Sequence, residues 1–135
     1  MISEVKTLTA NRDTVPEMMD FISALCESMP PQTAFDITLA CEELLVNIAS
    51  YAYPNGEGEY TLRFENDTDN RKVTLIFEDT GIPFNPLSKE DPDLTVPMAE
   101  RKIGGLGIMM VRKRMDSVGY VYAEGKNILT VMKGY

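Results

Sequence analysis

Residues 33–53, from Thr33 to Tyr53, read TAFDITLACEELLVNIASYAY, and this stretch decides the fold class. Ile37, Ala40, Cys41, Leu44, Ile48 and Ala52 recur at three- and four-residue spacing, which places them on one stripe of a helix. Pro54-Asn55-Gly56 ends it. A helix apolar along one face needs a surface to cover, and the flanking sequence supplies strands. Glu59 to Glu65 and Lys72 to Glu78 are rich in β-formers around an Asn66 to Asn70 turn, predicting an antiparallel hairpin. Val118 to Ala123 and Ile128 to Met132 predict a second hairpin turned at Glu124 to Asn127, and imperfect alternation over residues 2–10 predicts a leading strand.

Two further helices are expected. One is capped by Thr14 or Asp13, carries Pro16 in its first turn and runs until Pro30-Pro31 stops it; the other is opened by Gly104-Gly105-Leu106-Gly107. The expected fold class is α+β: a two-layer sandwich with helices on one face of a mostly antiparallel, mixed sheet. At 135 residues, a single domain spanning 1–135 is expected.

Composition narrows the chemistry. Acidic residues outnumber basic ones by 21 to 13, a net charge of −8, which is the wrong sign for holding nucleic acid through its phosphates. Histidine is absent, which removes Ser-His-Asp and Cys-His triads, histidine-ligated zinc and a self-phosphorylated histidine. The two cysteines, Cys26 and Cys41, fall in separate predicted helices and form no C-x-x-C pair, so a reducing compartment suits them. Met-Ile-Ser-Glu lacks a basic segment before an apolar run, and no run of about 18 apolar residues occurs, so a cytoplasmic chain without membrane contact is expected.

Three places carry chemistry. On the central helix, Glu43 and Asn47 are four apart and so lie in line beside the apolar stripe. A carboxylate there can accept a proton, and an amide oxygen is a neutral hard ligand for Mg²⁺; the plain alternative is a solvated Glu and a chance Asn. Second, Asp79-Thr80-Gly81-Ile82-Pro83-Phe84 follows a strand. Asp79 either caps that turn or accepts a hydrogen bond from an exocyclic amine such as adenine's, with Gly81 letting the base lie close. Third, Gly104-Gly105-Leu106-Gly107 precedes a helix and exposes backbone N–H groups suited to phosphate, at a spacing that fits neither the P-loop nor the Rossmann fingerprint. Arg101 and Lys102 beside it are the candidate phosphate contacts, because the consecutive Arg112, Lys113 and Arg114 cannot all face one ligand. From Thr80 to Ile103 periodicity is weak and Pro83, Pro86, Pro92 and Pro97 recur; a loop beyond about 12–15 residues is usually functional or disordered, and residues 85–103 are a candidate lid.

Taken in order, Glu-x-x-x-Asn on a helix, Asp-x-Gly-x-Pro-Phe after a strand, a variable lid and Gly-Gly-Leu-Gly opening a helix resemble the GHKL ATPase superfamily of gyrase, heat-shock chaperone, histidine kinase and mismatch-repair proteins. Within it the chain is most similar to the stand-alone anti-sigma-factor serine kinases, over nearly its whole length. The resemblance implies an ATP and Mg²⁺ site with Asn47 as metal ligand, Glu43 as general base, Asp79 on the adenine amine and Gly81 supporting the base. It also implies Gly105, Leu106 and Gly107 at the phosphates, and Thr130 backing the adenine pocket. Tyr51 stands where many relatives carry histidine. The implied partners are a small anti-sigma-factor antagonist, phosphorylated on Ser or Thr, a sigma factor held inactive, and a second copy of the chain. Rival readings are a nucleotide-binding interaction module without kinase activity, the ATPase half of a split histidine kinase, and a purely structural α+β domain.

Overall fold

The computed structural model describes residues 1–54, 56–88 and 106–135. Five strands, β1 (Ile2–Thr9), β2 (Glu59–Asp67), β3 (Lys72–Asp79), β4 (Ser117–Ala123) and β5 (Lys126–Gly134), form one sheet in the order β1-β2-β3-β5-β4. Every described neighbour pair is antiparallel, so the sheet is not mixed. Three helices, α1 (Val15–Leu25), α2 (Pro31–Tyr51) and α3 (Leu106–Arg114), complete the chain's regular structure among the described residues.

Alternation explains how the layers meet. In β2, Tyr60, Leu62, Phe64 and Asn66 are buried, and in β3 Val73, Leu75, Phe77 and Asp79 are, while the residues between them lie on the opposite face. Strand geometry sends successive side chains to opposite sides, so one face receives the helices and the other does not. Ile37, Cys41, Leu44 and Leu45 of α2 are buried in the same core as Met18 and Ile22 of α1 and Ile108 and Val111 of α3. The final hairpin is tighter than expected: Ala123 pairs with Lys126 across Glu124 and Gly125, both at positive φ (54° and 77°), the conformation that two-residue hairpin turns need.

Helix boundaries differ from the sequence reading at Pro30-Pro31. α1 ends at Leu25, and Pro31, rather than only terminating a helix, is the first residue of α2. A proline at that position forfeits no helical hydrogen bond, and Pro30 is extended (φ −54°, ψ 140°), as a residue before proline must be. The α1 cap is also indirect. Thr14 is the capping residue, but its hydroxyl donates to the Thr9 and Asn11 carbonyls, while Asn11 Oδ1 accepts the Thr14 N–H and caps the 3-10 turn Arg12–Thr14. Cys26 and Cys41 are free and buried; burial raises the Cys26 thiol to about 11 and pushes Cys41 higher still, so both are unreactive thiols.

One ion cluster joins the layers. Asp36 on α2 is 7% exposed and accepts from Arg114 (2.9 Å) at the end of α3 and from Gln32 (3.0 Å), with Lys133 of β5 at 3.6 Å. Burial works to raise its pKa, but the Arg114 and Gln32 hydrogen bonds and the Lys133 and Arg114 charges outweigh it, and the pKa is held below the ordinary carboxylate value. A lowered folded value stabilises the fold above the ordinary carboxylate range and is lost as pH falls through that lowered value. Asp36→Asn is therefore expected to cost about 2 kcal/mol in urea unfolding at pH 7. The gap to wild type should narrow as pH falls below about 4. Equal stability of the two proteins at pH 7 would remove this cluster from the account.

Candidate functional site

The site lies where α2, the turn after β3 and the start of β5 converge. Helical spacing puts Glu43 and Asn47 one turn apart, and Asn47 Nδ2 donates to the Glu43 carbonyl (3.0 Å) and to its Oε1 (3.4 Å). Asn47 is buried at 6% exposure and both bonds use its nitrogen, so its amide oxygen keeps its acceptor capacity toward the site. Glu43 is half-buried, with its carboxylate against the first turn of α3. Gly107 leaves room for it: a Cβ at that position would lie 2.2 Å from the Glu43 carboxyl carbon, so the flexible Glu43 side chain would have to swing aside. The positive end of the α3 dipole favours that carboxylate.

Asp79 is the last residue of β3 and, at 8% exposure, an inward-facing carboxylate in an apolar layer. Its Oδ1 accepts from the Gly81 N–H (2.9 Å) and from Asn127 Nδ2 (2.8 Å). The turn-capping alternative therefore holds for one oxygen, and Oδ2 has no hydrogen-bond donor among the described residues. Gly81 has a packing reason of its own: a Cβ would stand 2.1 Å from the Ala52 carbonyl at the end of α2, which also accepts the Ile82 N–H at 3.0 Å. Tyr53 locks the same turn, its hydroxyl accepting the Thr80 N–H (2.9 Å) and donating to the Glu59 carbonyl (2.7 Å). Tyr51 stacks on Phe84, ring centroids 4.9 Å apart.

Asn47, Asp79, Phe84, Asn127 and Leu129 line a single cavity of about 20 Å³, room for one water. Its donor set, a buried carboxylate oxygen and an amide oxygen amid apolar walls, suits a base with an amine and a nearby cation. Its volume does not admit a purine unless Phe84 or a neighbour shifts. A wider groove of about 210 Å³ runs between α2 and α3, lined by Leu39, Glu43, Val46, Gly107, Met110 and Arg114.

The structure thus sets Glu43 against Asn47 and Gly107, and Asn47 on one cavity with Asp79, with Gly81 in the turn beside Asp79. It separates Thr130 from them. Thr130 pairs with Ile76, one residue out of phase with the buried Leu129 and Val131, so strand alternation sends it to the open face of the sheet, away from Asp79. The expectation that Thr130 backs the adenine pocket is corrected: Leu129 and Asn127 face that cavity. Arg101, Lys102, Gly105 and most of the expected lid over 85–103 lie outside the described residues, as does the Leu106 side chain; residues 86–88 form a 3-10 turn. Arg112 donates to the Leu87 carbonyl and Arg114 to Asp36, so both arginines hold structure. Among the described residues no group of three or more His, Cys, Asp or Glu could cage a metal.

Sequence reasoning placed Asn127 in a turn and missed it. It is in fact the cross-strand partner of Asp79, in phase with Leu129 and Val131, and an amide in an inward strand position is the signal that could have found it.

The profile of the histidine kinase-like ATPase domain matches residues 8–133. The serine/threonine-protein kinase BtrW of Bordetella bronchiseptica is 30% identical over 111 residues, 80% of this chain and 75% of its own length. The serine-protein kinases RsbW of Bacillus mycoides (30% over 98 residues) and Bacillus cereus strain B4264 (29% over 96 residues) are matched over 70% of this chain and 60% of theirs. The chain thus spans about 60% of the RsbW length, less than two thirds. With the motif order, the α+β sandwich and these matches in agreement, the chain belongs to the histidine kinase-like ATPase domain family, on the branch that holds the BtrW and RsbW kinases.

Proposed function

We propose that the chain is an ATP-dependent protein serine/threonine kinase that phosphorylates a small anti-sigma-factor antagonist and, when that partner is phosphorylated, holds a sigma factor or comparable regulator inactive. The observation that carries this reading is that Asn47, hydrogen-bonded to Glu43 one turn before it on α2, lines one cavity with the buried Asp79. The names of the BtrW and RsbW relatives support the reaction class.

In this reading ATP supplies the phosphoryl group and Mg²⁺ the charge neutralisation. Asp79 Oδ2 accepts the adenine amine, and Gly81 seats the turn that carries it. Asn47 would hold Mg²⁺ through its amide oxygen, a neutral hard ligand of the kind that ion takes. Glu43, held by Asn47 and by the first turn of α3, accepts the proton of the incoming hydroxyl. Arg101 and Lys102, with Gly105, Leu106 and Gly107, are assigned to the phosphates. Positioning and charge stabilisation carry most of phosphoryl transfer, and these side chains supply both.

A homodimer and a cytoplasmic location complete the proposal. Val5 and Val121, each about half exposed on the sheet face that carries no helix, support the first; the second is consistent with no described helix being long and apolar enough to cross a membrane.

Transfer of label from [γ-³²P]ATP to a co-purified partner, as acid-stable phosphate, is the expected result; acid-labile phosphate would point to a split histidine kinase, and ATP binding without transfer to an interaction module. Glu43→Ala should keep ATP affinity within about two-fold and lower transfer by about 10²–10⁴. Transfer at the wild-type rate removes Glu43 as base. Asp79→Asn should weaken ATP by about 10- to 100-fold in calorimetry, since a hydrogen bond to a charged group is lost. Unchanged affinity takes Asp79 out of the site.

A further inference from the structure

Asn127 is 5% exposed and uses its whole hydrogen-bonding capacity. Nδ2 donates to Asp79 Oδ1 (2.8 Å) and to the Ile82 carbonyl (2.8 Å), and Oδ1 accepts from the Phe84 N–H (3.1 Å) and the Tyr120 hydroxyl. The opposite amide orientation would set acceptor against acceptor at Asp79 and Ile82 and donor against the Phe84 N–H, so the chemistry fixes this one. A residue with every valence committed to protein cannot read a ligand directly. It can decide what its neighbour presents.

We propose that Asn127 is the positioning residue for nucleobase recognition: by occupying Asp79 Oδ1 together with the Gly81 N–H, it fixes the carboxylate plane and leaves Oδ2 as the single acceptor offered to a 6-amino group on a purine. The inference rests on the assignment of Asp79 to the base and extends it to a residue on another strand. Three features carry it. Asp79 and Asn127 are direct cross-strand partners on the helix-facing side, so their side chains share one face. Two donors converge on the same oxygen, one along the chain and one across the sheet, and the second is what stops rotation about the Cβ–Cγ bond. Both residues line the cavity that the base must enter, whose remaining walls are mostly apolar. A carboxylate without the Asn127 bond could rotate out of the plane that faces the base or turn both oxygens toward the turn's own N–H groups, and selectivity for the amine would fall even if the fold survived.

The test compares affinities for ATP and for purine riboside triphosphate, which lacks the 6-amine, in four proteins. Wild type should prefer ATP by about 10- to 100-fold, the worth of one hydrogen bond to a charged group. Asp79→Asn should abolish the preference. Asn127→Ala, and Asn127→Asp, which keeps the acceptor for Phe84 and Tyr120 but replaces the donor facing Asp79, should both compress it to about three-fold or less while thermal melts report folded protein. A purely structural Asn127 would weaken both nucleotides equally and leave the preference intact.

If both Asn127 variants keep the wild-type preference and Asp79→Asn loses it, Asn127 only stitches the turn and the reading of Asp79 stands. If Asp79→Asn also keeps the preference, the assignment of Asp79 fails and takes the proposal with it. Should either variant unfold, the wild-type chain decides: by NMR, the Asn127 side-chain amide protons should remain slow to exchange after ATP is added. Exchange at the rate of a free amide in the nucleotide complex overturns the proposal.

Discussion

The carbonyl of Ala52, just past the last turn of α2, accepts the Ile82 N–H at 3.0 Å with Gly81 pressed against it, and the rest of the site depends on that contact. It fixes the end of the helix that carries Glu43 and Asn47 to the turn that follows Asp79. A side chain at position 81 would collide with backbone, which cannot step aside as a flexible side chain can. The Tyr53 hydroxyl, bonded to Thr80 and Glu59, reinforces the junction from the other side. Two segments distant in sequence thereby set the Asn47 amide and the Asp79 carboxylate on one cavity, with Glu43 hydrogen-bonded to Asn47 beside it, and preorganised placement of this kind is what the proposed phosphoryl transfer would ask of the chain.

The seam between the helices and the sheet is apolar with few exceptions, and the exceptions divide by how their polar atoms are satisfied. Asn66 accepts the Tyr135 hydroxyl, and Asp36 is held by Arg114, Lys133 and Gln32; both serve the fold. Asn127 is fully paired and serves the turn it grips. Asp79 keeps one oxygen without a donor among the described residues, and Asn47 uses only its nitrogen. Among the described residues the buried side-chain polar atom without a partner is the Tyr60 hydroxyl, so the two site oxygens carry no such burial cost and suit a ligand that would bond them. The cavity itself, large enough for one water, means that this ligand must displace Phe84 or its neighbours on entry.

Much of this was legible in the chain because helices and strands repeat. The α2 stripe gave its buried face, and the four-residue spacing put Glu43 and Asn47 in line, where the structure has them hydrogen-bonded. The β2–β3 hairpin followed from β-rich runs around an Asn/Asp turn. What escaped needed knowledge of register or of contacts between distant segments. Thr130 has the right chemistry but the wrong strand phase, and a shift of one residue exchanges the faces of a sheet. Asn127 looked like turn chemistry because Asn favours turns; the actual turn is only Glu124 and Gly125, which leaves Asn127 on the strand. Pro31 read as a stop because proline ends helices, although it also starts them. The reason for Gly81 could not be read locally, since the atom it must avoid belongs to Ala52.

On the proposed reading Asp79 and Asn47 together hold one Mg²⁺-nucleotide, Asp79 at the base and Asn47 at the metal. The most direct test of that reading is a crystal structure of the chain with a non-hydrolysable ATP analogue and Mg²⁺. The account predicts the adenine amine within hydrogen-bond reach of Asp79 Oδ2, the metal on the Asn47 amide oxygen and Phe84 displaced from its present position. A nucleotide bound elsewhere, or bound in this cleft with Asp79 turned away from the base and the metal away from Asn47, contradicts it.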